Sequence, residues 1–193
     1  LGGDTTSSQD RIAINVTAIG RIARAKVKYR SGARENDIVY VTGYLGDSAQ
    51  GLLDIRSGVY DSPFIAVHHD PHPCVNEGIW LGNQPEVHAM MDISDGLASD
   101  LPHILEESET GAEISIERIP TRTTVELAVT GGEDYQLLLT VGAEAADRIA
   151  AEYVRHFGKP LYGIGRIRSG APDIIWSDNG EVVRPQWKGF RHF

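Results

Sequence analysis

The stretch Met90-Met91-Asp92-Ile93-Ser94-Asp95-Gly96-Leu97 sets two carboxylates and a hydroxyl within four positions. The apolar run Val87 to Met91 before it reads as a buried strand. Leu97, Leu101, Ile104 and Leu105 after it follow the i, i+4, i+7, i+8 spacing of an amphipathic helix. The acids therefore fall where a strand ends and a helix begins. Free N–H groups and the positive end of the helix dipole favour anions at such a point. Asp92 and Asp95 together suggest that the anion arrives with a divalent cation, because Mg²⁺ bridges protein carboxylates and substrate phosphates. A second reading stays open, in which Ser94 or Asp95 caps the helix and Gly96 eases the turn.

Other clusters carry weaker signals. Gly131-Gly132-Glu133-Asp134-Tyr135 is either a ligand-facing turn or a plain turn in which Asp134 bonds nearby backbone. In Arg30-Ser31-Gly32-Ala33 the arginine suits bidentate phosphate contact, while the basic run around it, from Arg21 to Arg34, reads mostly as a solvated face. Gly2-Gly3-Asp4-Thr5-Thr6 fits a phosphate or metal loop, or an unstructured terminus. His68, His69, Asp70, His72 and Cys74 invite a zinc reading. Pro71 and Pro73 break that geometry, and no second ligand cluster stands at a recognisable spacing. The aromatic tail, Trp187 to Phe193, could pack on the core or stack on a flat ligand ring.

The elements that must position these residues follow from periodicity. Ile12, Ile14 and Val16 alternate with smaller or polar residues, which predicts a half-buried strand. Ile38 to Thr42 predicts a strand buried on both faces. A helix is expected from about Ser48 to Ile55, with Asp47 as its cap. A loop from Asp61 is expected to lead into a helix near Val75 to Leu81. Ala112, Ile114 and Ile116 alternate as a strand, and 118–130 is poorly patterned. Gln136 to Val141 reads as a strand, and Ala143 to Phe157 as the clearest helix, ended by Gly158. Leu161 to Ile167 is a further strand. Asp178-Asn179-Gly180 between two short apolar runs signals a hairpin. Strands and helices mix, so the fold class is α/β or α+β with a helix-covered sheet.

Composition narrows the function. The chain has 193 residues and a net charge of −9, which argues against nonspecific nucleic-acid binding. An anionic substrate is still admissible where metals bridge the repulsion. One cysteine, Cys74, excludes an internal disulfide framework, and with no run of transmembrane length the expected compartment is the cytoplasm. No P-loop and no dinucleotide-binding glycine fingerprint occurs. The opening at Leu1, straight into Gly2-Gly3-Asp4, is that of a piece of a longer chain.

Taken in order, these motifs resemble the thiamine-monophosphate kinases of the PurM-like (aminoimidazole ribonucleotide synthetase) superfamily. The match runs through Gly2-Gly3-Asp4-Thr5-Thr6, Arg30-Ser31-Gly32-Ala33, Val41-Thr42-Gly43 with Gly46-Asp47, and Met91 to Leu97. It continues through Gly131 to Tyr135 and Gly189-Phe190-Arg191-His192-Phe193. The resemblance implies a PurM-like C-terminal domain over 29–193, with 1–28 as the end of the N-terminal domain. It implies direct in-line transfer of the γ-phosphate of ATP to thiamine monophosphate, using several Mg²⁺ ions and no phosphoenzyme. By it, Gly3, Asp4, Arg30 and Ser94 match ATP-binding positions; Asp4, Asp92 and Asp95 match metal ligands; Glu133 and Phe190 match positions that hold the thiamine substrate. It implies a homodimer in the full-length protein, and residues absent both before Leu1 and between Ile119-Pro120 and Gly131-Gly132. The alternatives are another PurM-like ATP-dependent synthetase or ligase, and a nucleotide-binding remnant without catalysis.

Overall fold

In a computed structural model, residues 10, 12 and 14–187 are described. Seven strands form one sheet: β1 (Ile38–Val41), β2 (Val87–Asp92), β3 (Gly111–Ser115), β4 (Leu137–Val141), β5 (Tyr162–Arg168), β6 (Ile174–Asp178) and β7 (Glu181–Val183). Their spatial order is β2-β4-β1-β5-β3-β6-β7, antiparallel except for the β3–β6 pair. The helices are α1 (Asp47–Arg56), α2 (Pro63–His69), α3 (Val75–Gly82), α4 (Leu97–Ser108), α5 (Val125–Thr130) and α6 (Ala146–Phe157). The fold is the mixed, helix-covered α/β sheet that the pattern implied.

The sheet separates two apolar cores. On one face Val39, Val41, Ala89 and Leu138 meet Leu97, Leu101, Ile104 and Leu105 of α4. All four α4 residues are fully buried, as their spacing required. On the other face Tyr40, Val87, Leu139 and Val141 meet Leu81 of α3 and Ile149 and Tyr153 of α6. β1 lies inside the sheet and feeds both cores, which is why Ile38–Val41 reads as a continuous apolar run. An irregularity between Val87 and Ala89 moves β2 from one core to the other.

Several expectations are corrected. Ile12, Ile14 and Val16 form no strand here; they are 92%, 84% and 85% exposed, and no sheet partner holds them. α1 begins one residue earlier than expected, and Gly46, not Asp47, is its N-cap. The loop expected after Asp61 contains α2, with Ser62 capping it through Phe64 N–H and Pro63 at its first position. The chain runs continuously through 118–131. Pro120 C=O accepts from Leu45 N–H, and Thr124 caps α5 through Leu127 N–H. That helix was invisible to periodicity because six residues give less than two turns of pattern. Ile116 leaves β3 for a short 3₁₀ turn. Trp187 packs edge-on against Trp176 at 5.1 Å, so this part of the aromatic tail joins the core.

Candidate functional site

β2 delivers Asp92 to the mouth of the sheet, and the chain turns through Ile93 to Gly96 before α4 starts at Leu97. Gly96 occupies the N-cap position with φ +99°, a backbone that L side chains rarely adopt. A Cβ there would also sit 2.8 Å from the Gly131 carbonyl oxygen. The turn is organised from behind by Asp100, in the first turn of α4. Its Oδ2 accepts from both Ser94 N–H and Asp95 N–H at 2.9 Å. Asp100 is 2% exposed, and burial pushes its carboxyl above the ordinary carboxylate range. The charges of Asp95 and Asp92 act in the same direction, against the two N–H donors. The cap position thus belongs to Gly96 rather than to Ser94 or Asp95, leaving Asp92 exposed and Ser94 and Asp95 half-buried.

The second motif is laced to this turn. Tyr135 N–H donates to Ile93 C=O at 3.0 Å, Ile93 N–H to Gln136 C=O at 2.8 Å, and Glu133 N–H to Ser94 C=O at 2.8 Å. Gly132 allows it, because a Cβ there would collide with the Ser94 carbonyl oxygen. Glu133 and Tyr135 both take positive φ, 66° and 49°, so the chain zigzags and alternate side chains leave on opposite sides. Asp134 goes inward: its carboxylate accepts from Gly46 N–H at 2.6 Å and Ser48 N–H at 3.1 Å, and so caps α1 from another part of the chain. Burial raises the Asp134 pKa to about 6 against those donors. Glu133 goes outward, its side chain 58% exposed, with Oε2 3.6 Å from His68 Nδ1. Asp134 thus bonds backbone, but of a segment distant in sequence, while Glu133 faces outward.

Arg30 lies elsewhere. The Arg30–Gly32 turn is tied to the end of α4, where Ser108 Oγ donates to Arg30 C=O at 2.8 Å and accepts from Ala33 N–H. Tyr29 bridges to Ala89 alongside β2. Asp95 and Arg30 thus sit at opposite ends of α4, whose twelve residues span about 18 Å. A ligand touching both must lie along that helix. Gly3, Asp4 and Phe190 fall outside the described residues.

Asp92 and Asp95 supply oxygen donors of the type Mg²⁺ takes, and one or two protein carboxylates plus phosphate oxygens suffice for that ion. Among the described residues no group of three or more His, Cys, Asp or Glu side chains is placed to hold a metal ion, the His68 to Cys74 stretch included. Instead His68 bonds Ser48 Oγ at 2.9 Å, and Cys74 is buried beside Thr42 and Gln136.

Sequence reasoning missed Asp100, Arg122 and His68 as parts of the site. Asp100 had a signal, an acid in a helix's first turn behind a ligand loop. Arg122 had none: it reaches across from an unpatterned stretch to the buried Asp47 carboxylate and lies 5.0 Å above the Tyr44 ring. Of these three Arg122 lines a cavity of about 260 Å³, together with Asp47, Asp134, His72, Lys159 and Gln136.

The profile of the AIR synthase related protein, C-terminal domain, matches residues 34–176. Thiamine-monophosphate kinase of Escherichia coli K12 is 34% identical over an alignment that takes in 100% of this chain and 63% of that protein. The chain therefore spans less than two thirds of that relative's length. Thiamine-monophosphate kinase from Stenotrophomonas maltophilia K279a superposes with a TM-score of 0.73 at 27% identity, over 84% of this chain and 56% of that one. AaThiL complexed with AMPPCP and TMP superposes with a TM-score of 0.67 at 31% identity, over 85% of this chain and 53% of that one.

Proposed function

The chain belongs to the AIR synthase related family, and on that premise we propose that its protein phosphorylates thiamine monophosphate at the expense of ATP, giving thiamine diphosphate. One observation carries the reading: Glu133 N–H bonds Ser94 C=O, which joins the Asp92–Asp95 turn to the Glu133 turn. The likeness to AaThiL complexed with AMPPCP and TMP supports a nucleotide and a thiamine phosphate meeting there.

Phosphoryl transfer asks a protein chiefly for positioning and for neutralisation of charge. In this reading Asp92 and Asp95, with Asp4, hold Mg²⁺, which when bound screens the phosphate oxygens. Asp100 keeps the turn's backbone rigid. Ser94 and Arg30, with Gly3, contact ATP, whose length along α4 accounts for their separation. Glu133 attracts the cationic thiamine, and Phe190 stacks on it. Transfer is direct and in line. The protein is a cytoplasmic homodimer, and residues 1–28 form the end of a separate N-terminal domain. The exposed Ile14, Val16 and Ile19 support that boundary.

The test is chromatography of thiamine phosphates after incubating the protein, as this chain and as its full reading frame, with thiamine monophosphate, ATP and Mg²⁺. Thiamine diphosphate is expected, and none in Asp95→Ala or after chelation of the metal. Nucleotide binding without product in either form would leave a noncatalytic remnant as the answer. ATP turnover with other acceptors only would point to a different ATP-dependent enzyme of the family.

A further inference from the structure

His68 has no part in the metal chemistry that its neighbourhood suggested, yet it is held with care. It lies near the end of α2, its side chain only 16% exposed. Its Nδ1 is 2.9 Å from Ser48 Oγ and 3.6 Å from Glu133 Oε2. Ser48 N–H in turn donates to Asp134, the residue next to Glu133. The two acids are thus held by neighbouring elements, Asp134 by α1 and Glu133 by α2. Asp134 is anchored in the first turn of α1, and Glu133 is faced by the imidazole that α1 itself orients. Nothing else given by the geometry restrains the Glu133 side chain, which stands exposed on a left-handed backbone.

We propose that His68 is a positioning residue for Glu133, aiming its carboxylate at the cationic part of the phosphoryl acceptor. The role rests on the thiamine monophosphate reading above. Ser48 fixes the ring plane, and the ring limits the arc through which the Glu133 carboxylate swings. The residue acts on acceptor affinity and leaves the nucleotide side untouched, because Ser94 and Asp95 are held by Asp100 and not by α2.

The experiment is steady-state kinetics on the full-length protein with thiamine monophosphate and ATP varied separately. The variants are His68→Ala, His68→Asn, Glu133→Gln and the Ala/Gln double variant, each checked for an unchanged melting transition. His68→Ala is expected to raise KM for thiamine monophosphate about five- to tenfold, the size of coupling between neighbouring polar groups, with KM for ATP within about twofold. His68→Asn, whose side-chain amide stands near the position of Nδ1, is expected to recover most of the loss. In the Glu133→Gln background the alanine is expected to add nothing further. Additive effects, or equal rises in both KM values, would overturn the positioning role while leaving the kinase reading intact. No thiamine diphosphate from the unsubstituted protein would overturn both.

Discussion

Two buried aspartates do the quiet work at the residue scale, and each is testable. Asp134 has its pKa raised from 3.8 to about 6 by burial. The folded state therefore binds the proton more tightly than the unfolded chain does, so this group's contribution falls as pH rises from about 4 to 6 and is lost above. The burden on the ionised form at neutral pH is on the order of 3 kcal/mol. Chemical denaturation measured from pH 4 to 7 should show that slope, and Asp134→Asn should flatten it. Asp100 Oδ2 accepts from both Ser94 N–H and Asp95 N–H. Asp100→Ala should lower stability by about 1–3 kcal/mol, because it strips two half-buried donors of an acceptor. On the proposed kinase reading it should also weaken Mg²⁺ binding by calorimetry, since the turn that carries Asp92 and Asp95 loses a backbone anchor. Asp100→Asn keeps an acceptor oxygen and should lose less on both counts.

At the scale of elements, the site is two backbone segments pressed together, with glycine where they touch. Gly132 lies against the Ser94 carbonyl, so Gly132→Ala has to push the two turns apart or distort one of them. We expect a fall in the melting temperature from a penalty of about 1–3 kcal/mol and, on the proposed kinase reading, a loss of activity larger than the lost stability explains, because the Asp92–Asp95 and Glu133 turns lose their register. Wild-type turnover in Gly132→Ala would refute the contact's importance. The same scale explains which predictions of elements succeeded. α4 and α6 were legible because each runs twelve residues with a regular apolar face. α2 and α5, at seven and six residues, are too short to declare a face and are held by Ser62 and Thr124 caps plus packing.

Across the molecule, the sheet divides the apolar residues between two cores, and the described residues between 10 and 23 contribute to neither. Ile14 and Ile19 are 84% and 93% exposed. Ile14→Ser with Ile19→Ser should leave the melting temperature of this chain unchanged while reducing self-association in sedimentation, since they add exposed apolar area and no burial. A clear loss of stability would show that the segment packs on the sheet. The alternation at Ile12, Ile14 and Val16 describes a strand's face, but a strand also needs an edge to bond with, and periodicity says nothing about where one is. By itself the sequence determined the mixed sheet, the core face of α4, the strand-to-helix placement of Asp92 and Asp95, and the family, through motifs spread along the chain. Those features are local or ordered in sequence. Only the tertiary structure decided that Asp134 caps α1, that Arg122 meets Asp47, that His68 faces Glu133, and that Arg30 stands a helix length from Asp95. Each joins groups brought together by sheet order and helix packing, and so follows from the closure of the chain on itself and not from any pattern along it.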